Sequence, residues 1–141
     1  MKKMIHPIAI TALLFTACAE AQEPSTNSTA PVQAERISLD VDAKTFNSMI
    51  GKDNALLLDV RTPAEFKSGH IAGATNMDWT AADYETQFST LDPSRTVMVY
   101  CAAGGRSDQA KQYLEERGFH VIQLLEGMGG WREAGLPVAQ D

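Results

Sequence analysis

The sequence predicts an α/β domain built on a mainly parallel sheet with helices on both faces. Short apolar runs rich in Leu, Val and Ile alternate with stretches that carry helix caps and helical spacing. Two of the runs, 55–60 and 97–100, are apolar with almost no interruption, the pattern of strands buried on both faces. Alternation of such strands with helices argues for a parallel sheet covered above and below.

The elements follow in order. Residues 36–39 form a short strand. Asp42 caps a helix whose apolar positions Phe46, Met49 and Ile50 fall at helical spacing and which Gly51 stops. The run 55–60 is a strand broken only by Asp59. Thr62-Pro63-Ala64-Glu65 is a capping box with proline in the first helical position. Thr80 caps a further helix carrying Tyr84 and Phe88, and 97–100 is the second buried strand. A helix over 107–117 turns Ala110, Tyr113 and Leu114 inward and ends at Gly118. Residues 119–124 are a strand, and a last helix surrounds Trp131.

The chain has 141 residues, enough for one domain with a modest core. Its 44% apolar and 21% charged content are those of an ordinary globular protein. A formal charge of −6, with no basic block, argues against nucleic acid as a partner and against a basic membrane-surface helix.

Residues 1–21 read as an address. Lys2 and Lys3 precede an apolar stretch, 8–17, too short to remain as a membrane anchor. Two cleavage positions compete. Phe15-Thr16-Ala17-Cys18 has the form of a lipoprotein signal that would leave Cys18 acylated, and Ala19-Glu20-Ala21 offers a small-x-small site before Gln22. Either way the protein is expected to be exported to a periplasm, and lipid on Cys18 is its one expected membrane attachment. Residues 22–35, with Pro24, Pro31 and several Ser and Thr, read as a disordered linker, and 36–141 as the folded domain. That leaves Cys101 as the lone thiol of the mature domain, where exported proteins commonly pair cysteines.

Cys101 is the most informative residue. It ends the run Val97-Met98-Val99-Tyr100 and opens Ala102-Ala103-Gly104-Gly105-Arg106-Ser107. Small residues let the loop turn its N–H groups inward as an anion nest at a helix N-terminus, and a cysteine at its lip is expected to be partly thiolate. The alternative is a structural cysteine buried at a strand end. Arg61 lies at the carboxyl end of the other buried strand, so parallel strands would open it on the same edge as the loop. It is either an anion contact or the partner of Asp59 or Glu65. Arg106 either presents its charge to substrate or pairs with a carboxylate and braces the loop. Asp59, Glu65 and His70 are read as structural support: a buried acceptor, a capping-box residue and a residue that fixes a turn. Ser107 is expected to cap the helix and to donate to the sulfur. Asp108 suits the helix dipole but repels a nearby thiolate. No His, Cys and carboxylate cluster calls for a metal.

These residues carry a resemblance. Leu56 to Phe66, Gly69-His70-Ile71-Ala72-Gly73-Ala74, Cys101-x-x-Gly104-x-Arg106-Ser107, Gly127-Met128-x-x-Trp131 and Gly135-Leu136-Pro137 together resemble a single-domain rhodanese. With its signal sequence the chain is similar to the small periplasmic thiosulfate sulfurtransferases. The resemblance implies a three-layer fold with no cofactor, in which Cys101 takes the outer sulfur of thiosulfate as a persulfide and passes it to cyanide or a thiol. Glu126 departs from the family, standing where a glycine is often found. Two other readings stay open: a non-catalytic sulfur carrier, and a cysteine phosphatase or arsenate reductase. The latter pair uses five residues between Cys and Arg, against the four between Cys101 and Arg106.

Overall fold

The computed structural model describes residues 35–140. The chain divides into two units, Met1–Val32 and Gln33–Asp141, and the described residues all belong to the second. The expected address, both cleavage positions and all of the expected linker but Glu35 lie outside them.

Five strands form one sheet: β1 (Ser38–Val41), β2 (Leu56–Asp59), β3 (Thr75–Asn76), β4 (Val97–Tyr100) and β5 (Val121–Leu124). Their order is β1-β5-β4-β2-β3 and every pairing is parallel. The helices are α1 (Ala43–Met49), α2 (Pro63–Lys67), α3 (Tyr84–Phe88), α4 (Gly105–Glu116) and α5 (Gly127–Glu133).

Alternation along the strands explains the layers. Leu57, Met98, Tyr100, Ile122 and Leu124 pack against Phe46 of α1 and Met128 and Trp131 of α5. Leu58, Val97, Val99 and Val121 face Phe88 of α3 and Ala110 and Leu114 of α4. Two separate apolar cores thus sandwich the sheet, as the uninterrupted runs predict.

Several boundaries and caps differ from expectation. β1 starts at Ser38 instead of Arg36, and β5 at Val121 instead of Phe119, because pairing begins only where the two strands register, Ser38 opposite Val121. β3 has two residues, too few to leave a periodic signal. Thr80 does not cap α3; its hydroxyl donates to Asp78 at 2.6 Å, and Asp83 stands at the helix start without a side-chain cap bond. Asp42 caps α1 as expected, accepting from the N–H of Lys44 and Thr45. The capping box of Thr62 and Glu65 is complete.

Candidate active site

β4 lies at the centre of the sheet and delivers Cys101 to the carboxyl edge. β2 runs parallel to it with Asp59 opposite Tyr100, so Asp59 and Arg61 reach the same edge. The loop after Cys101 is tight because Gly104 adopts φ of 94° and caps α4, which begins at Gly105. Ser107 is therefore in the first turn of the helix and is not its N-cap, contrary to the sequence reading. A β-carbon on Gly104 would run into the Leu125 carbonyl. Glycine is required there both by the left-handed backbone and by the close approach of the β5–α5 connection.

Cys101 is 1% exposed, and its sulfur looks into this turn. The Gly104 N–H donates to Sγ at 3.1 Å and the Ser107 hydroxyl lies 3.5 Å from it. Burial pushes the thiol up, but hydrogen bonds from the Ser107 hydroxyl and from the N–H groups of Ser107, Ala103 and Gly104 outweigh it, so its pKa lies below the ordinary value. Ala103 and Gly105 are exposed, and nothing lies within 4 Å of the place a Gly105 β-carbon would occupy. The loop is thus walled by backbone, with its outer side open. Such a turn can hold one negative charge on sulfur by oriented N–H groups, to which the start of a twelve-residue helix adds about half a positive charge.

The two arginines have different partners. Arg61 is 3% exposed and forks onto Asp59, with Nε 3.0 Å from Oδ1 and Nη2 2.6 Å from Oδ2; Nη2 also donates to the Gly69 carbonyl at 2.9 Å. Nε and Nη2 of its guanidinium are engaged in this way, so of the two readings the geometry displays the Asp59 partnership. Arg106 forks onto Glu65, Nη1 to Oε2 at 2.8 Å and Nη2 to Oε1 at 2.7 Å. Glu65 at the same time accepts from the Thr62 N–H at 3.1 Å. The Arg106 pair, with the Thr62 bonds, holds the Glu65 carboxyl down at about 2.

His70 fixes its turn in three ways. Its backbone exchanges hydrogen bonds with Ala139, its Nδ1 is 3.1 Å from the Phe66 carbonyl, and its ring stacks on Phe66 at 3.8 Å. Asp108 accepts from Gln112 at 2.9 Å along the exposed side of α4. Glu126 precedes α5, and the turn it occupies still allows the N–H groups of Met128 and Gly129 to donate to the carbonyls of Cys101 and Ala102. Met128 and Trp131 belong to the core.

Three supports of the site have roles that only the structure shows. Gly127, at φ of 56°, sits so near the loop that a β-carbon would overlap the Cys101 carbonyl oxygen and come within 2.7 Å of the Ala102 carbonyl carbon. Asn76 donates to the carbonyls of Asp59 and Arg61 at 3.0 and 2.8 Å. Gln123 donates to the Gly104 carbonyl at 2.9 Å and to the Ser107 hydroxyl at 3.0 Å. Gly127 leaves a trace in the sequence as part of the Gly127-Met128-x-x-Trp131 motif and Gln123 as the lone polar residue of an otherwise apolar strand, while Asn76 leaves none.

Fold and loop define the class: a parallel α/β domain with a cysteine sulfur held in a tight loop at the carboxyl edge of its central strand. The chain belongs to the rhodanese-like domain family, whose pattern matches residues 42–134. It is 32% identical over 101 residues to a sulfurtransferase of Allochromatium vinosum, spanning 70% of this chain and 92% of that one. To the thiosulfate sulfurtransferase PspE of Escherichia coli it is 36% identical over 80 residues, 57% of this chain and 74% of the relative. The crystal structure of a rhodanese-related protein from Thermoplasma volcanium superimposes with a TM-score of 0.66 at 27% identity, covering 74% of this chain and 100% of that one. The chain is in general terms a rhodanese-type sulfurtransferase, with a sulfur donor and a sulfur acceptor as its substrates.

Proposed function

We propose that the protein moves a sulfane sulfur from thiosulfate, or a related anionic donor, through a persulfide on Cys101 to a thiophilic acceptor, a thiol or, in an assay, cyanide. The observation that carries this reading is the Cys101 sulfur held under the Gly104 N–H and beside the Ser107 hydroxyl. In the first half-reaction the Cys101 thiolate attacks the outer sulfur. A Cys101–sulfur bond forms, the donor's sulfur–sulfur bond breaks, and sulfite leaves with its electron pair. In the second, the acceptor attacks the terminal sulfur and Cys101 leaves as thiolate. Both steps place negative charge on sulfur inside the turn, where the same N–H groups stabilise it.

The spacing of four residues between Cys101 and Arg106 supports sulfur over a tetrahedral phosphate or arsenate as the group received. So does the tie of Arg106 to Glu65, which leaves the cradle to the loop N–H groups and the Ser107 hydroxyl. Lys2, Lys3 and the apolar stretch 8–17 support export to a periplasm, with lipid on Cys18 or cleavage before Gln22 as the two forms of the mature chain. Thiocyanate release from thiosulfate and cyanide tests the activity. Steady turnover by the wild type and none by Cys101→Ser is expected. A persulfide that forms without turnover would mark a carrier, and wild-type rates from Cys101→Ser would reject the nucleophile.

A further inference from the structure

Gln123 is a fully polar side chain at 2% exposure in the strand beside the Cys101 strand, and its Oε1 has no hydrogen-bond partner among the described residues. Burying an acceptor unpaired is unfavourable, so the value of glutamine here rests on its Nε2. That nitrogen donates to two neighbouring oxygens, the Gly104 carbonyl at 2.9 Å and the Ser107 hydroxyl at 3.0 Å. The Gly104 carbonyl fixes the amide's orientation, because a carbonyl can only accept.

The available protons and lone pairs set where the Ser107 proton points. The Ser107 hydroxyl has one proton and two acceptors in reach, the Gly104 carbonyl at 2.9 Å and Cys101 Sγ at 3.5 Å. By distance alone the carbonyl wins. Yet that carbonyl already accepts from the Asp108 N–H at 2.9 Å as the first bond of α4, and from Gln123 at the same distance. Its two lone pairs are filled. The geometry points to Gln123 as a positioning residue for the cysteine: by occupying the Gly104 carbonyl and donating to the Ser107 oxygen, it directs the Ser107 proton onto the Cys101 sulfur. This deepens the sulfur-transfer reading and rests on it for its purpose, though not for its test. A proton aimed at Sγ favours the thiolate that attacks the donor and again the thiolate that departs in the second half-reaction.

The charged groups around the cysteine come from every neighbouring element, and none is altered by a change at position 123. They are Asp59 and Arg61 after β2, Glu65 on α2, Asp78 after β3, Arg106 and Asp108 on α4, and Glu126 before α5. A titration of the Cys101 thiolate therefore isolates the hydrogen bond. The thiolate is followed by its ultraviolet absorbance in the full chain, with Cys101→Ala subtracted so that Cys18 cancels. Gln123→Leu frees a lone pair on Gly104, and the Ser107 proton turns to it. The midpoint is expected to rise by about half a unit or more. Ser107→Ala is expected to raise it similarly, and Gln123→Leu is expected to add nothing in the Ser107→Ala background. Gln123→Met, closer in volume, is read in the same way should the leucine variant fold poorly. A wild-type midpoint in Gln123→Leu or Gln123→Met, an unshifted midpoint in Ser107→Ala, or equal shifts from Gln123 changes with and without Ser107 would each overturn the assignment. A midpoint shift without any sulfur transfer would sink the proposed function and leave this assignment standing.

Discussion

Glu65 and Arg106 are joined by two hydrogen bonds of 2.8 and 2.7 Å across 41 positions of sequence, and the same carboxylate closes the capping box of α2. One side chain thus fixes the start of one helix and the Cys101 loop at the start of another. Planar fork-to-fork pairing of this kind is geometrically specific as well as favourable. It ties the loop to α2, as the Gly127 contact ties it to the start of α5.

Glu65→Gln removes the fork while leaving an amide that can still cap α2. Glu65 and Arg106 are 35% and 26% exposed, so solvent screening limits the loss to about 1 kcal/mol. The Glu65 carboxyl ionises at about 2 in the folded state, against an ordinary 4.5. Its contribution is complete above pH 4.5 and fades as the pH falls toward 2. The gap in melting temperature between wild type and Glu65→Gln should therefore close over that interval. A gap that persists unchanged at the acid end would show that the pair is not its source.

Arg106→Lys keeps the charge and loses the fork. Since the guanidinium is turned to Glu65, the expected result is a lower melting temperature, by roughly 1 kcal/mol of stability, with the KM for thiosulfate changed little. A large rise in KM with unchanged stability would show that the guanidinium meets the donor.

Asp59→Ala strands Arg61 in the interior without its partner. Breaking such a buried pair from one side is expected to destabilise by about 3–5 kcal/mol, read as a shift of the urea midpoint. A loss no larger than that of a surface substitution would contradict the burial and pairing described.

Gly127→Ala forces a side chain into the carbonyls of Cys101 and Ala102 at a φ of 56°. Strain and overpacking together predict a loss of about 3 kcal/mol or more, with the loop displaced and transfer activity lost. Gly105→Ala is the control, because its β-carbon meets nothing within 4 Å. It should be close to neutral in stability.

What the sequence makes legible is what acts over a few residues. Asp42 with Lys44 and Thr45, Thr62 with Glu65, and the apolar runs of β2 and β4 all declare themselves locally. Thr80 misleads for the same reason: a good capping residue was available, but Asp78 two positions earlier takes its hydroxyl. The partners of Arg61 and Arg106 stay open in the sequence because several carboxylates are within reach in principle, and only the parallel register of β2 and β4 selects among them. Ser107 reads as a cap because its type suits one; with Gly104 at positive φ the helix starts earlier, and the hydroxyl lies 2.9 Å from the Gly104 carbonyl and 3.5 Å from the sulfur. Gln123 becomes interpretable only once β5 is placed beside β4 with its polar side toward α4.

In the proposed transfer Cys101 carries the sulfur. Intact-mass spectrometry after exposure to thiosulfate tests it most directly. One added sulfur atom is expected on the wild-type chain, none on Cys101→Ser, and loss of the added mass when cyanide is supplied. An unmodified wild type, or the same added mass on Cys101→Ser, would contradict it.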